Sequence, residues 1–426
     1  AWAVATLAFS DQPLMEAISA PSISRMAAFD AQGLSNTAWA FATLSVKDGP
    51  LLDAIAAASM QRIADFAMQG IANMAWAVAA LPSADDSFLE ALSAAARGRL
   101  LAASEGSRGS GGEPPTSVLS LVQALATLGA LDDETLSSAA AALEVSAARL
   151  DGPPDGRDGS LSGAEEEGTV APDPDGPRVL AEQPHVSVLW KPPGWTATTS
   201  EGGGGQEDGT PVQAWLAQRF GEGRPILRDA GVDSGLAHRL DRETSGPLLC
   251  AKTYRGYYLS RLQFVAARVE KEYVWICHGH PLPAPRMIDA PLRRSEQDGT
   301  VWRSVTDERR GKAARTEVLS VAHLLPPPGA AGGAVSLGEV RLHTGRRHQI
   351  RAHLAGEGHP LVDDGTYGGR RGDSWGPGRH ALHAHRLAVD IGDGPLDVRA
   401  RLPGDLAAAL AELQPADGRS RALRAA

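Results

Sequence analysis

Cysteine is almost absent: Cys250 and Cys277 are the only two in 426 residues, and neither has a C-x-x-C partner. That excludes a disulfide framework and a thiolate zinc site, and both cysteines lie in apolar strand-like runs, as buried free thiols do. No apolar run approaches the ~20 residues that a bilayer-spanning helix needs, so no membrane partner is expected. An H-E-x-x-H pair is lacking too, although His343, His348, His353, His359, His380, His383 and His385 crowd one region and His383 and His385 would share a strand face. Imidazoles among arginines are poor cation sites, so hydrogen-bonding or ligand-facing roles are favoured and no metal is expected. Positive charge is scarce early on. Residues 1–177 hold 8 Lys/Arg against 23 Asp/Glu, a net of -15, and the rest holds 33 against 28, a net of +5. The second part is therefore the one that suits a polyanionic substrate. An initiating methionine is lacking as well; the chain opens at Ala1 inside a repeat and is expected to be a fragment whose targeting peptide is out of view.

What is present first is a repeat. Trp2, Trp39 and Trp76 stand 37 residues apart, as do Leu7, Leu44 and Leu81. Gln32-Gly33 returns as Gln69-Gly70, Asn36 as Asn73, Ser22 as Ser59, Arg25 as Arg62 and Phe29 as Phe66. A fixed period of this size means stacked units that bury their apolar faces against one another. Residues 37–45 read as one helix, Asp48-Gly49-Pro50 as a turn, and Leu52, Ile55, Ile63 and Phe66 as the inner face of a second helix. Pro21 should kink or interrupt the corresponding helix of the first unit. The period fails past residue 100, where 105–115 is a Gly/Ser/Pro-rich interruption and 117–129 with 133–150 form a last helical pair. The period and the Asn-x-Ala-Trp-Ala core resemble octotricopeptide-type repeats, associated with RNA metabolism in organelles. Two readings stand: a concave RNA-gripping surface, and a protein-contact scaffold, which the 5 Lys/Arg against 9 Asp/Glu of residues 1–100 suit. The tryptophans are expected in the core rather than as stacking platforms.

Residues 151–177 pile up Gly, Pro and acidic residues around Glu165-Glu166-Glu167, and read as a linker. Beyond it short apolar runs alternate with turns. Residues 186–190, 248–251, 272–277, 316–322 and 340–342 read as strands, 211–220 and 349–354 as helices, 202–209 as a flexible loop and 325–333 as a hairpin loop. Strands and helices out of strict alternation argue for an α+β mixed sheet.

Four motifs follow in order: Lys191-Pro192-Pro193-Gly194; His238-Arg239-Leu240-Asp241-Arg242-Glu243-Thr244-Ser245-Gly246; Lys271-Glu272-Tyr273; and His343-Thr344-Gly345-Arg346-Arg347-His348-Gln349-Ile350-Arg351-Ala352-His353, continued by Gly358-His359-Pro360 and Tyr367-Gly368. On an extended segment Arg239 and Asp241 share a face while Leu240 points away. Residues 178–406 resemble the RluA-type RNA pseudouridine synthases in these motifs and their order. The resemblance implies a largely antiparallel sheet cleft by an RNA site, and isomerisation of uridine without cofactor or metal.

It also implies residues. Asp241 is the essential carboxylate. Whether it adds to the base, attacks the sugar or takes a sugar proton, it must be ionised, and in a closed pocket a fixed cation has to hold its pKa down. Arg351 is that cation. Tyr273 stacks on the uracil with its hydroxyl near C5, and Arg239 fills the space left by a flipped base. His238 supports the Asp241 loop at the RNA side, Lys191 helps shape the RNA entrance, and Arg346 with Arg347 is a surface or phosphate-facing residue. Trp190, Pro247 and Asp363 depart from the family pattern, Asp363 replacing the glycine of Gly-His-Pro-x-x-Gly-Asp. The expected whole is a helical-repeat array (1–150), an acidic linker (151–177), a synthase domain (178–406) and an Ala/Arg-rich tail (407–426). It would act on ribosomal, transfer or messenger RNA, in an organelle if the repeats are a guide, with a protein partner on the array. The rival reading is an inactive synthase-like RNA-binding or assembly factor.

Overall fold

The computed structural model describes residues 1–7, 11–81, 86–105, 113–152, 176–197, 211–297, 301–329, 333–369 and 375–425. The linker around Glu165 and the loop 202–209 lie outside them, as do 106–112 and 330–332 of the two other expected irregular stretches. The chain divides into two compact units, residues 1–155 with 258–268, and residues 156–257 with 269–426.

The first unit is a helical array. Helices α1 (Trp2–Thr6), α3 (Ala31–Thr43), α5 (Met68–Ala80) and α7 (Pro115–Leu128) pack on one another in sequence, and α2 (Gln12–Ser24), α4 (Gly49–Gln61), α6 (Asp86–Ser104) and α8 (Asp133–Asp151) form a second row. The start of each unit's second helix is written in the sequence. Asp11 accepts from Leu14 N at 3.0 Å and Asp48 from Leu51 N at 3.1 Å, each satisfying an N–H that the first turn leaves unpaired. Proline follows within the first two positions, where its missing N–H costs nothing. Leu51, Ile55 and Phe66 are fully buried, Leu52 and Ile63 only partly. Pro21 does not interrupt α2, which runs on to Ser24; it falls in the last turn, where little helix remains to be broken.

The tryptophans are not core, contrary to the expectation from their register. Trp2 is 53% exposed, Trp76 is 37% exposed and Trp39 is half-buried. The packed face of α5 is made of Ile71, Ala72, Met74, Ala75 and Ala77. Alanines bring neighbouring helices close and leave no room for an indole between them.

The second unit is α+β. Strands β1 (Arg178–Glu182), β2 (Val186–Lys191) and β3 (Gly246–Ala251) form an antiparallel sheet in that order. β2 and β3 are buried at every residue, which accounts for the apolar stretches 188–190 and 247–251. A larger sheet contains β4 (Glu270–His278), β5 (Arg286–Asp289), β8 (Arg315–Leu325), β9 (Val335–Leu342), β10 (Leu382–Asp390), β11 (Pro395–Arg399) and β12 (Gln414–Pro415). Its order is β11-β10-β4-β9-β8-β12 with β5 also on β8, all pairs antiparallel. β6 (Leu292–Gln297) and β7 (Val301–Thr306) make a separate hairpin. This unit's helices are α9 (Val212–Phe220), α10 (Tyr254–Val265), of which residues 258–265 count with the first unit, α11 (Gln349–Gly356), α12 (Gly404–Glu412) and α13 (Gly418–Ala425).

Residues 407–426 are not a loose tail. Leu406, Leu410 and Leu413 recur at helical spacing and join Ile276, Leu324 and Trp375 in the core of the large sheet, while β12 pairs with β8. The two sheets meet where β3 begins. Gly246 has φ +132, and a Cβ there would lie 2.1 Å from the Ala384 carbonyl oxygen of β10. Only glycine permits that approach, and it brings the loop before β3 against the large sheet.

Candidate active site

Residues 238–245 run as an extended segment into a turn. Leu240 is buried, while Arg239 and Asp241 line a cavity of ≈ 360 Å³ together with Arg347, His348, Arg351 and His380. Such a volume is in the range of small-ligand sites.

Five side chains pin the Asp241 loop from different elements. His238 Nε2 accepts from Leu249 N at 2.9 Å, so this nitrogen faces β3. Arg379 Nη1 donates to the Glu243 carbonyl at 2.6 Å, and its fork holds Asp405 at 2.6 and 3.2 Å. His380 Nε2 pairs with Thr244 Oγ1 at 2.9 Å, and His383 Nδ1 with Ser245 Oγ at 3.0 Å. Lys191 is the fifth, and it corrects the reading of the sequence. Its ammonium is fully buried and donates to the carbonyls of Pro192 (3.0 Å), Trp195 (2.7 Å) and Arg242 (2.9 Å). A lysine has three N–H donors, all spent here on backbone. It ties the Pro192-Pro193-Gly194 turn to the Asp241 loop and does not face an RNA entrance.

Helix α11 sorts its side chains by period. Gln349 and His353, four apart, both reach Thr316 Oγ1 on β8, at 3.0 and 2.9 Å. Ile350 and Leu354 are buried. Arg351 faces the cavity, and Arg347, in the turn just before the helix, lines it too. Arg346 does not: its Nε donates to the Ala313 carbonyl at 2.9 Å, and burial lowers the pKa of its guanidinium. Of the two adjacent arginines, Arg347 is the cavity residue.

Arg351 joins two carboxylates. Its Nη1 meets Asp241 Oδ2 at 3.1 Å, while Nε and Nη2 bind Asp364 Oδ2 and Oδ1 at 2.7 and 2.9 Å. The Tyr367 ring lies below its guanidinium, 5.1 Å away. The bidentate Asp364 pair fixes the guanidinium plane, so that the third donor is aimed at Asp241. Sequence reasoning missed Asp364, Arg379, His380 and Tyr367; Tyr367 stood in a quoted motif without a role, and Asp364 follows the altered glycine position directly. Tyr367 Oη accepts from Ser304 N at 2.8 Å and pairs with His348 Nδ1 at 3.2 Å, while Ser304 Oγ donates to the Arg347 carbonyl at 2.6 Å. The β6–β7 hairpin thereby supports the cavity wall.

The electrostatics follow. Burial pushes the Asp241 carboxyl up, but His348, Arg351 and His380 outweigh it and hold it well below the usual carboxylate range. Burial drives the His348 and His380 imidazoles down to about 4 and about 3. Both are neutral near neutral pH, which leaves Arg351 as the charged group that keeps Asp241 ionised. Asp364 is likewise lowered, burial opposing and Arg351 prevailing. Tyr273, buried on β4, is not among the residues that line the cavity. Burial first and the Asp241 charge second raise its hydroxyl far above the ordinary phenol value, so it stays protonated.

Among the described residues one trio, Glu272, Glu339 and His385, brings its ligand atoms within 4.8 Å. Glu272 already accepts from Arg341 Nη2 at 2.6 Å and Arg386 Nη1 at 3.1 Å. Two guanidiniums on the carboxylate make this an ion-pair network rather than a cation site. His383 and His385 do not share a face: the register shifts between Ala384 and Arg386, placing His383 on Ser245 and His385 on Glu339.

A loop-borne carboxylate held by a helix-borne arginine, at the junction of two antiparallel sheets, is the arrangement against which similarity can be judged. The family model described as RNA pseudouridylate synthase matches residues 185–356, the stretch that supplies both Asp241 and Arg351. Ribosomal large subunit pseudouridine synthase D of Zymomonas mobilis subsp. mobilis is 33% identical over 237 residues, 54% of this chain and 70% of that protein. The chain belongs to this family. An uncharacterized RNA pseudouridine synthase of Chloroflexus aurantiacus is 37% identical over 213 residues, and the match spans 49% of this chain and 62% of that relative. RNA pseudouridine synthase 2, chloroplastic, of Arabidopsis thaliana is 35% identical over 152 residues, 34% of each chain. The synthase accommodates its departures from the family pattern locally. Trp190 packs against His383 with ring centroids 5.6 Å apart, under the Arg178 guanidinium at 4.9 Å.

Proposed function

We propose that this synthase converts uridine in RNA to pseudouridine with Asp241 as the essential carboxylate. In that isomerisation the N1–C1′ bond breaks, C5 joins C1′, the C5 proton leaves and N1 gains a proton. The observation that carries the proposal is the Asp241–Arg351–Asp364 chain, which supports an ionised carboxylate in a cavity that desolvates it. Tyr273 is assigned to stack on the detached uracil, its protonated hydroxyl near C5. Arg239, exposed at the cavity mouth, is assigned to the space left by the flipped base, where a guanidinium plane replaces a stacking neighbour. Ribosomal RNA is the first class to test, because a relative carries that assignment in its name. An organelle is the proposed compartment, in keeping with the repeats and the chloroplastic relative.

The test is a pseudouridine map of RNA that lacks pseudouridine, read by carbodiimide adducts and primer-extension stops after incubation with the protein. Stops that vanish with Asp241→Asn establish the activity and name the substrate. No stops on any RNA class would favour an inactive RNA-binding factor.

The array is proposed as a contact surface for a protein partner. Exposed Trp2 and Trp76 on an acidic scaffold suit a protein face better than phosphate. Trp39→Ala/Trp76→Ala should leave RNA affinity unchanged; a tenfold loss would assign the row to RNA.

A further inference from the structure

We propose that Asp363, which stands where the family pattern has glycine, is a positioning residue that ties the arginine wall of the cavity to the loop that clamps Asp241. Asp363 is 3% exposed, lines the cavity and has φ +59. Glycine takes that backbone conformation without penalty, whereas few side chains adopt it, aspartate and asparagine among them because they can hydrogen-bond there. A non-glycine residue kept at such a position is best explained by what its side chain does.

What it does is specific. Asp363 Oδ2 accepts a hydrogen bond from Gly378 N at 2.9 Å. The preceding link is covalent: Asp364, the next residue, holds Arg351 with both oxygens. The following link is covalent as well, because Gly378 leads directly into Arg379 and His380. These are the side chains that hold the Glu243 carbonyl and Thr244 Oγ1. One carboxylate thus closes a ring that runs from Arg351 through Asp364, Asp363, Gly378 and Arg379 back to the Asp241 loop. Without it, the segments that hold the cation and the carboxylate lose this tie, and the alignment of the two rests more heavily on the single Arg351–Asp241 bond. Misplacement on the scale of an ångström costs a reaction that depends on alignment about a hundredfold. The proposal rests on the role of Asp241 argued above.

Two substitutions separate the side chain from the backbone. Asp363→Gly restores a residue at ease at positive φ and removes the acceptor. Asp363→Asn keeps an acceptor and tolerates the left-handed conformation. Amide hydrogen exchange of the full chain reads the tie without any substrate, and steady-state kinetics on a substrate RNA read its consequence. In Asp363→Gly the Gly378 amide and its neighbours should exchange about tenfold faster, the thermal midpoint should not fall, and kcat should drop about tenfold with KM within twofold. Asp363→Asn should match the parent in both readouts. Unchanged exchange in Asp363→Gly, or Asp363→Asn behaving like Asp363→Gly, overturns the proposal. If the parent protein isomerises no RNA, the reading of Asp241 falls by itself, and the exchange result still decides whether Asp363 ties the two segments.

Discussion

Asp241 can be ionised in its cavity because a guanidinium cannot shed its proton there, and because Asp364 fixes the plane of that guanidinium. Lysine at position 351 would offer a point charge without the fork. Arg351→Lys should therefore weaken the hold on both carboxylates and raise the Asp241 pKa. The sign follows from burial, which by itself pushes a carboxyl up. The acid limb of kcat/KM should move to higher pH by at least one unit, measured by a pH–rate profile; an unmoved limb would dismiss Arg351 as the partner. At this scale the sequence was partly legible. Asp241 and Arg351 could be named because each sits in a motif that resembles the synthase family's. The partners of Lys191 are not legible in the sequence, because one of its three carbonyls, that of Arg242, arrives from a loop 51 residues away. Arg346 and Arg347 are told apart only by the fold of the turn before α11, which sends one to Ala313 and the other to the cavity.

Elements place these residues by period and by close approach. α11 separates an anchoring pair and a core pair from the cavity residue Arg351 within two turns, and β3 delivers the Asp241 loop to the large sheet through Gly246. Lys191 welds the end of β2 to that loop. Lys191→Met should take the donor from the Pro192, Trp195 and Arg242 carbonyls, of which the Pro192 bond is buried and costs about 1–3 kcal/mol, and lower the urea midpoint accordingly. Activity should fall with it while RNA affinity holds; a variant of parental stability would mean that the ammonium is not structural. The motif-bearing strands and α11 could be read from apolar runs and spacing. Residues past 406 read as an Ala/Arg-rich tail because alanine masks the packing of Leu410 and Leu413 on the large sheet. The exposed tryptophans were taken for core because a fixed register was equated with burial, whereas in an alanine-rich array the small residues occupy the contact.

For the whole molecule, buried neutral histidines set the response to acid. Unfolded imidazoles take protons near pH 6.5, but burial lowers His348, His380 and His383 to about 4, about 3 and about 4. Between pH 6.5 and 4 the unfolded chain binds more protons than the folded one, so stability falls as pH falls through that window. Each histidine contributes at most about 1.4 kcal/mol per pH unit there. Below pH 4 the depressed carboxyls of Asp241 and Asp364 add to the loss. Urea titrations at pH 7.5 and 5.0 should show the midpoint fall with an unchanged m-value, and a midpoint independent of pH would refute the burial of these rings.

The most direct test of the central claim is tritium release from RNA carrying 5-tritiated uridine, followed under single turnover for the parent and for Asp241→Asn. Loss of the C5 proton accompanies formation of the C5–C1′ bond and reports the reaction itself. The variant keeps the size and neighbours of Asp241 and loses only its charge and reactivity. The account predicts a release rate at least about a thousandfold lower, with RNA affinity within a few-fold of the parent. Release by Asp241→Asn within tenfold of the parent would contradict the assignment of Asp241 as the essential carboxylate.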